Sequence, residues 1–268
     1  MSVVAPPRAA IGGTGRTGAI SVQLAVRGMR SLVRLPSAFF PSVLFPVFLI
    51  VAFSGAYSGL TRVPDFPTDT ILNWYVPLAI CQGSAFIGVG MGMGATRDIE
   101  TGFFDRLLLA PAPRVALLAG PALNVVVRVV VPFTVVLLIG VAGGARLEGG
   151  PLGLVTLFVA AAGTALVHAL WCLGIAFRAR SQRAAPLMQI GVFTTIFLAT
   201  AQVPLSVMTG WLKSVARVNP MTNVLRLARA GFLGDITWAE CWGGLLALGL
   251  AVGLAGVWAL RSLRRLAP

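Results

Sequence analysis

Charge is scarce in this chain of 268 residues. Only 11% of it is charged, with eight acids against 21 basic residues, one lysine (Lys213) and one histidine (His168). With 57% hydrophobic residues, a soluble domain of this length is excluded. The acids are Asp65, Asp69, Asp98, Glu100, Asp105, Glu148, Asp235 and Glu240, and all lie in loops or at the ends of the long apolar runs. A carrier driven by an ion gradient ordinarily keeps a carboxylate at membrane depth, so that class is disfavoured. Neither a carboxylate cluster nor a Ser–His hydrolase motif is present, which speaks against catalysis by this chain. The single Lys213 does not follow Gly210 directly, so no Walker A motif exists and the chain is not its own ATPase of that kind. Cys81, Cys172 and Cys241 are scattered and make neither a metal site nor a disulfide framework. The first apolar run starts too late and runs too long for a signal peptide.

What the chain has instead is long apolar runs. A spanning helix needs about 20 mainly apolar residues, and six runs approach that length. They lie at about 39–60, 71–95, 115–142, 152–177, 186–208 and 239–260, within a 22–265 transmembrane domain. The expected class is an all-α integral membrane protein. Residues 1–21 are rich in Gly, Pro, Ala and Ser and are expected to be a disordered cytoplasmic tail. Their Gly13-Thr14-Gly15-Arg16-Thr17-Gly18 run matches a dinucleotide fingerprint only formally, without the flanking strand and helix. In Val22 to Leu35, Leu24, Met29, Leu32 and Val33 alternate with Arg27, Arg30 and Arg34. That pattern predicts an amphipathic helix on the membrane surface.

A net charge of +13 would suggest nucleic acid in a soluble protein. Here the bases sit in short loops, where they set orientation and meet anionic lipid. With the N-terminus inside, the inner segments hold Arg8, Arg16, Arg27, Arg30, Arg34, Arg97, Arg106, Arg114, Arg178, Arg180, Arg183, Arg261, Arg264 and Arg265. The outer segments hold only Arg62, Arg146, Lys213, Arg217, Arg226 and Arg229. The positive-inside rule therefore predicts both termini in the cytoplasm of a multi-pass cell-membrane protein.

The densest charge lies in Thr96–Arg114, between the second and third runs. Phe103, Phe104, Leu107 and Leu108 fall at helical spacing. Asp98 and Glu100 are expected at the start of that short helix, where negative charge suits the dipole. Pro111 is expected to end it and Gly102 to give room for close backbone approach. The bare pattern fits either a membrane-surface helix or a docking helix for a soluble partner. Trp211 to Trp238 reads as two short helices broken at Pro220, with Gly231 and Gly234 closing the second and Trp211 and Trp238 as interface anchors.

The run Arg97-Asp98-x-Glu100-x-Gly102 followed by Asp105-Arg106-Leu107-Leu108-Leu109-Ala110-Pro111-x-Pro113-Arg114 resembles the cytoplasmic loop of ABC-2 type transport permeases, in particular the drug-resistance branch related to daunorubicin exporters. Asn219-Pro220-Met221-Thr222, with Arg226 beyond, resembles a second family patch. The resemblance covers Val22 to Arg261, and departs at Phe103 and Phe104, where many members have Thr or Leu. It implies a permease subunit of an exporter whose ATP and Mg are bound by a separate ABC ATPase subunit, with no cofactor in this chain. It also implies a second permease chain, the same or different, and re-entrant helices between the fifth and sixth spans. Asp98, Glu100, Gly102, Phe104, Arg106, Leu107, Leu108 and Pro111 would then be the ATPase-coupling residues. The implied cargo is an amphipathic drug or lipid-like compound; an ion-gradient carrier, or export of a polysaccharide or glycolipid, is the alternative.

Inside the spans, Gly88, Gly90, Gly92 and Gly94 are spaced for close helix packing rather than for a nucleotide. Arg128, one turn after Asn124, carries a charge costing about 2.5–3.5 kcal/mol at membrane depth. With His168 in the fourth span it is a candidate for the substrate path, against structural roles for all three.

Overall fold

The computed structural model describes residues 41–64, 66–109 and 114–266, giving only the backbone of Pro41, Leu108, Arg114, Val115 and Ala116. The expected tail, the surface helix Val22–Leu35, the start of the first span and Pro111 lie outside the described residues. Among the described residues, nine α-helices run in order: α1 (Pro41–Ala56), α2 (Ile71–Glu100), α3 (Phe103–Leu109), α4 (Arg114–Ala142), α5 (Gly150–Ala179), α6 (Ala185–Phe197), α7 (Gly210–Val218), α8 (Pro220–Leu233) and α9 (Trp238–Leu266). Short 3-10 turns occupy Ser58–Arg62 and Gln182–Ala184, and no strand occurs among the described residues. Four of these helices are long and apolar enough to cross a membrane: α2, α4 from Leu117, α5 and α9.

Helix α2 is the central element, and its small residues explain why. Pro46 in α1 has no N–H to donate back to the Ser42 carbonyl. The Ser42 oxygen lies 2.5 Å from where a Cβ on Gly83 would stand, so only glycine admits α1 there. On the opposite side, a Cβ on Gly88 would meet Ala169 N at 2.6 Å, and one on Gly92 would meet the Cys172 Cβ at 2.6 Å. Those contacts bring α5 against α2 at near-backbone distance. Gly94 has nothing within 4 Å. A second close approach lies outside the expected glycine run. A Cβ on Gly149 or on Gly153 would lie 2.1 Å from the Gly231 carbonyl, so α8 rests on the start of α5. There Glu148 N also donates to Phe232 O at 2.9 Å. Aromatic edges join α1, α2 and α6 through Phe45, Phe86 and Phe193, with centroids 5.5–5.6 Å apart.

Three expected boundaries change. Helix α1 ends at Ala56, where Gly55, Ser58 and Gly59 favour a 3-10 turn over continued α-helix. Helix α2 runs on to Glu100, so Asp98 and Glu100 close α2 and do not open the short helix. Nothing in Ala95–Glu100 stops a helix, and the break falls at Gly102, whose φ of +69° is the left-handed conformation that glycine adopts without penalty. A Cβ there would meet nothing within 4 Å, so Gly102 makes the turn and not a close approach.

The largest change is in the fifth run. Its helix stops at Phe197, and 198–209 is irregular. Irregular backbone at membrane depth persists only where its polar groups find partners inside the protein. Arg229 supplies them: Nη1 donates to Thr200 O at 2.8 Å and Nη2 to Ala201 O at 3.1 Å. Tyr75 Oη and Trp74 Nε1 donate to the next carbonyl, Gln202 O, at 2.9 and 3.2 Å. The Arg229 guanidinium stacks 3.4 Å from the Trp74 ring centroid and is 5% exposed. The charge pattern places this arginine among the outer loops; the fold turns it inward.

Two predictions test this packing. Gly92→Val is expected to lower the melting temperature of the purified protein, since overpacking costs about 1–3 kcal/mol. Gly94→Ala is expected to leave it unchanged or raise it, by the helix preference of Ala over Gly. Arg229→Met is expected to destabilise strongly, because each orphaned carbonyl costs about 1–3 kcal/mol. Arg229→Lys is expected to rescue little, since an ammonium cannot span carbonyls as a guanidinium fork does. Equal melting curves for all four variants would refute the packing described.

Candidate functional site

Two regions gather the functional candidates. The first is the end of the bundle that carries α3. Phe104 is 6% exposed and packs on Phe177, with ring centroids 5.3 Å apart. Leu117, Leu118, Leu173 and Leu263 belong to the same buried cluster, and the Phe177 contact ties α3 to α5. Phe104 therefore faces inward, contrary to its expected place on a partner-facing surface. Asp105 and Arg106 are exposed, Leu107 is half-buried, and Leu109 is 86% exposed. The Leu108 side chain lies outside the described residues. Asp98 is half-buried at the end of α2.

Glu100 departs most from expectation. Its Oε1 accepts from the Gln182 backbone N–H at 2.8 Å, and its Oε2 accepts from the Gln182 side-chain amide at 2.6 Å. A carboxylate at a helix C-terminus opposes the helix dipole. The N–H groups at the start of the turn before α6 offset that cost. The end of α5, just before that turn, is tied to α9: Arg178 Nε donates to Ser262 Oγ at 3.1 Å, and its guanidinium lies 3.8 Å from the Trp258 ring centroid. Arg180 closes α5 at φ 53° and donates to Arg265 O at 3.4 Å.

The second region is polar and lies within the bundle. His168 Nδ1 is 2.8 Å from Thr164 O, a carbonyl that can only accept, so Nδ1 carries the proton. In the neutral ring Nε2 is then an acceptor, and Thr195 Oγ1 of α6 stands 3.0 Å away to donate. Asn219 Nδ2 donates to Thr195 O at 2.8 Å, while its Oδ1 accepts from Met221 N at 2.9 Å and caps α8. The Asn-Pro patch thus starts α8 and ties it to α6. Beside these groups lies a cavity of about 70 Å³, lined by Thr164, His168, Thr195 and Asn219 on the polar side. Met221, Val224 and Leu248 line its apolar side. Asn124 and Arg128 are not in that lining. Both belong to α4, Asn124 buried and Arg128 half-buried, each engaged with neighbours. The structure does not bring Arg128 and His168 into one site.

Arg226 and Glu240 form an ion pair joining α8 to the start of α9. The carboxylate holds the Arg226 guanidinium above its ordinary pKa. Sequence reasoning missed Gln182, Thr195 and Arg229. Only the Gly149-x-x-x-Gly153 spacing carried a readable signal for the α5–α8 contact.

Comparison with known proteins agrees with this architecture. The daunorubicin resistance ABC transporter permease protein DrrB1 of Streptomyces coeruleorubidus is 27% identical over 240 residues, covering 89% of this chain and 82% of that protein. The model of the ABC-2 type transporter family matches residues 22–233, from before α1 to the end of α8. That match takes in most of the chain, which is therefore a member of the ABC-2 type transporter family, a multi-pass permease component of an ABC transporter.

Proposed function

We propose that this chain is the permease half of an ATP-driven exporter moving an amphipathic drug or lipid-like compound outward across the cell membrane. ATP and Mg are bound and hydrolysed by a separate ABC ATPase subunit, and two permease chains make the pathway. The observation that carries the reading is α3. It hangs from α2 on the Gly102 turn, is anchored through Phe104, and offers Asp105, Arg106, Leu107 and Leu109 outward. A seven-residue helix is too short to persist in water without packing. Here packing holds its inner face while an apolar tip flanked by both charges is left for a partner. Pro111 and Leu108 belong to the same docking stretch on this reading. The relative's name, a daunorubicin resistance permease, supports a drug-like cargo.

The transmembrane domain on this reading has six spans, with both termini cytoplasmic. The fifth is α6 continued by 198–209, and α7 and α8 are re-entrant from the outer side. Burial of 199–201 and the satisfied carbonyls support that arrangement. Arg128, Asn124 and His168 keep a secondary place along the path.

Leu109→Asp is expected to leave the permease folded, because that side chain touches little, while the ATPase is lost on co-purification or its hydrolysis no longer drives export. Phe104→Ala is expected to cost about 3–5 kcal/mol and to lower the yield of folded protein. A Leu109→Asp exporter working at the parent rate would end the docking assignment. For topology, Asp105→Cys is expected to react with an impermeant maleimide only from the cytoplasmic side, and Glu148→Cys only from the outside. The opposite pattern would invert the orientation.

A further inference from the structure

We infer that Glu100 is a transmission residue: through Gln182 it passes movement of the docking helix α3 to α6, and it does not itself hold the ATPase. The inference rests on the coupling reading proposed for α3 and concerns what lies between the docking face and the pathway.

Three observations carry it. First, Glu100 faces the protein. Its two carboxylate oxygens accept from the backbone and side chain of one residue, at 2.8 and 2.6 Å. Ser181 and Arg183 lie near enough to favour the charged carboxylate as well. Second, the pair joins two mechanical elements. Glu100 is the last residue of α2 and is followed, after one Thr, by the Gly102 turn into α3. Gln182 opens the 3-10 turn that runs directly into α6 at Ala185. The carboxylate thus serves as an N-terminal cap supplied from another helix. Third, α6 keeps one face uncovered, while Met188, Val192 and Ile196 on the other are fully buried. Leu187, Gln189, Ile190, Thr194 and Thr195 are exposed along it, and its helix ends after 13 residues at Phe197. The end of α5 just before the turn is held on α9 by Arg178 and Arg180. A shift of α2's end relative to α9 therefore falls on the start of α6.

The test uses the permease with its ATPase, reconstituted in lipid nanodiscs. Thr194→Cys receives a spin label in detergent before reconstitution; the native Cys81, Cys172 and Cys241 are buried and stay unlabelled. The spectrum is recorded without nucleotide and with ATP, Mg and vanadate. In the otherwise unaltered chain the spectrum is expected to change with nucleotide. Glu100→Ala and Gln182→Ala are each expected to retain the ATPase at the parent ratio and to lose that change. The exchanged pair, Glu100→Gln with Gln182→Glu, is expected to restore it. The side-chain carbonyl now at position 100 then accepts the backbone N–H at position 182, and its amide donates to the carboxylate now standing there.

Loss of the ATPase with Glu100→Ala but not with Gln182→Ala would make Glu100 a docking residue and overturn the inference. A nucleotide-dependent spectrum that survives both alanine variants, or an exchanged pair that restores nothing, would overturn it too. So would a parent complex whose spectrum ignores nucleotide, since α6 would then not be the driven helix. Failure of the parent chain to hold any ABC ATPase would instead sink the coupling reading.

Discussion

The fold depends on one constraint: backbone carbonyls released inside an apolar bundle must find donors. Helices meet it locally, but α6 stops at Phe197 and leaves a run of carbonyls with nothing in their own segment. Three side chains answer, Arg229 from α8 and Trp74 and Tyr75 from α2. Arg229 also reaches Trp74 O at 3.4 Å, so one guanidinium stitches α8, α2 and the irregular segment together. A cation without a nearby acid is expensive in such a place. Carbonyl dipoles and the Trp74 ring take the part of a counter-ion here. Because the break is satisfied, α6 can be a half-length helix instead of a full span.

Glycine supplies the complementary condition. Helices in a bilayer gain little from hiding apolar side chains from lipid tails, so close van der Waals contact carries their association. Gly83, Gly88 and Gly92 let α2 touch α1 and α5 at backbone distance. Gly149, Gly153 and Gly231 do the same for α5 and α8. The consequence is a closely packed unit of α2, α5 and α8. The cluster around Phe104 and Phe177 holds α3 at one end of the bundle. On the proposed coupling that anchorage lets α3 pass force on, since force on a loosely packed helix would be absorbed locally.

The long apolar helices were legible because a sustained hydropathic run has few other fates. The break at Pro220 was legible because proline removes a donor and Asn219 can cap the helix that begins there. What the pattern could not reveal is which way a polar side chain turns. Arg226 and Arg229 are one turn apart on α8 and look alike in sequence, yet Arg226 pairs with Glu240 near the surface while Arg229 is buried. The difference lies in carbonyls some thirty residues upstream, and residue type alone does not show that they are free. Glu100 was misplaced for a related reason. Helical periodicity continues unbroken from Ile71, and only the positive φ at Gly102 decides on which side of the turn the acid falls. The Phe104 face was read from spacing, which identifies an apolar side but not whether the chain's own core or a partner covers it.

Three hydrogen-bonded attachments of α6 differ in kind, beside the packing of Met188, Val192, Phe193 and Ile196 along its length. At Thr200 and Ala201 it is followed by carbonyls held by a buried guanidinium, with several bonds in a setting of low polarity where each is strong. Near its last turn, Thr195 has one hydroxyl proton and several acceptors within 3.0 Å: His168 Nε2 and its own helix carbonyls Gly191 O and Val192 O. Releasing His168 therefore leaves the hydroxyl satisfied within α6, and the cost falls only on the imidazole. At its start, the Glu100–Gln182 bonds are exposed to solvent, where water competes and charge is screened. Hydrogen-bonded restraint thus decreases from the Arg229 end to the α3 end. On the proposed coupling, a helix held in that order pivots near Phe197–Ala199 and moves at Ala185, and its exposed face, with Gln189 and Thr194 among Leu187 and Ile190, moves most where α3 acts on it.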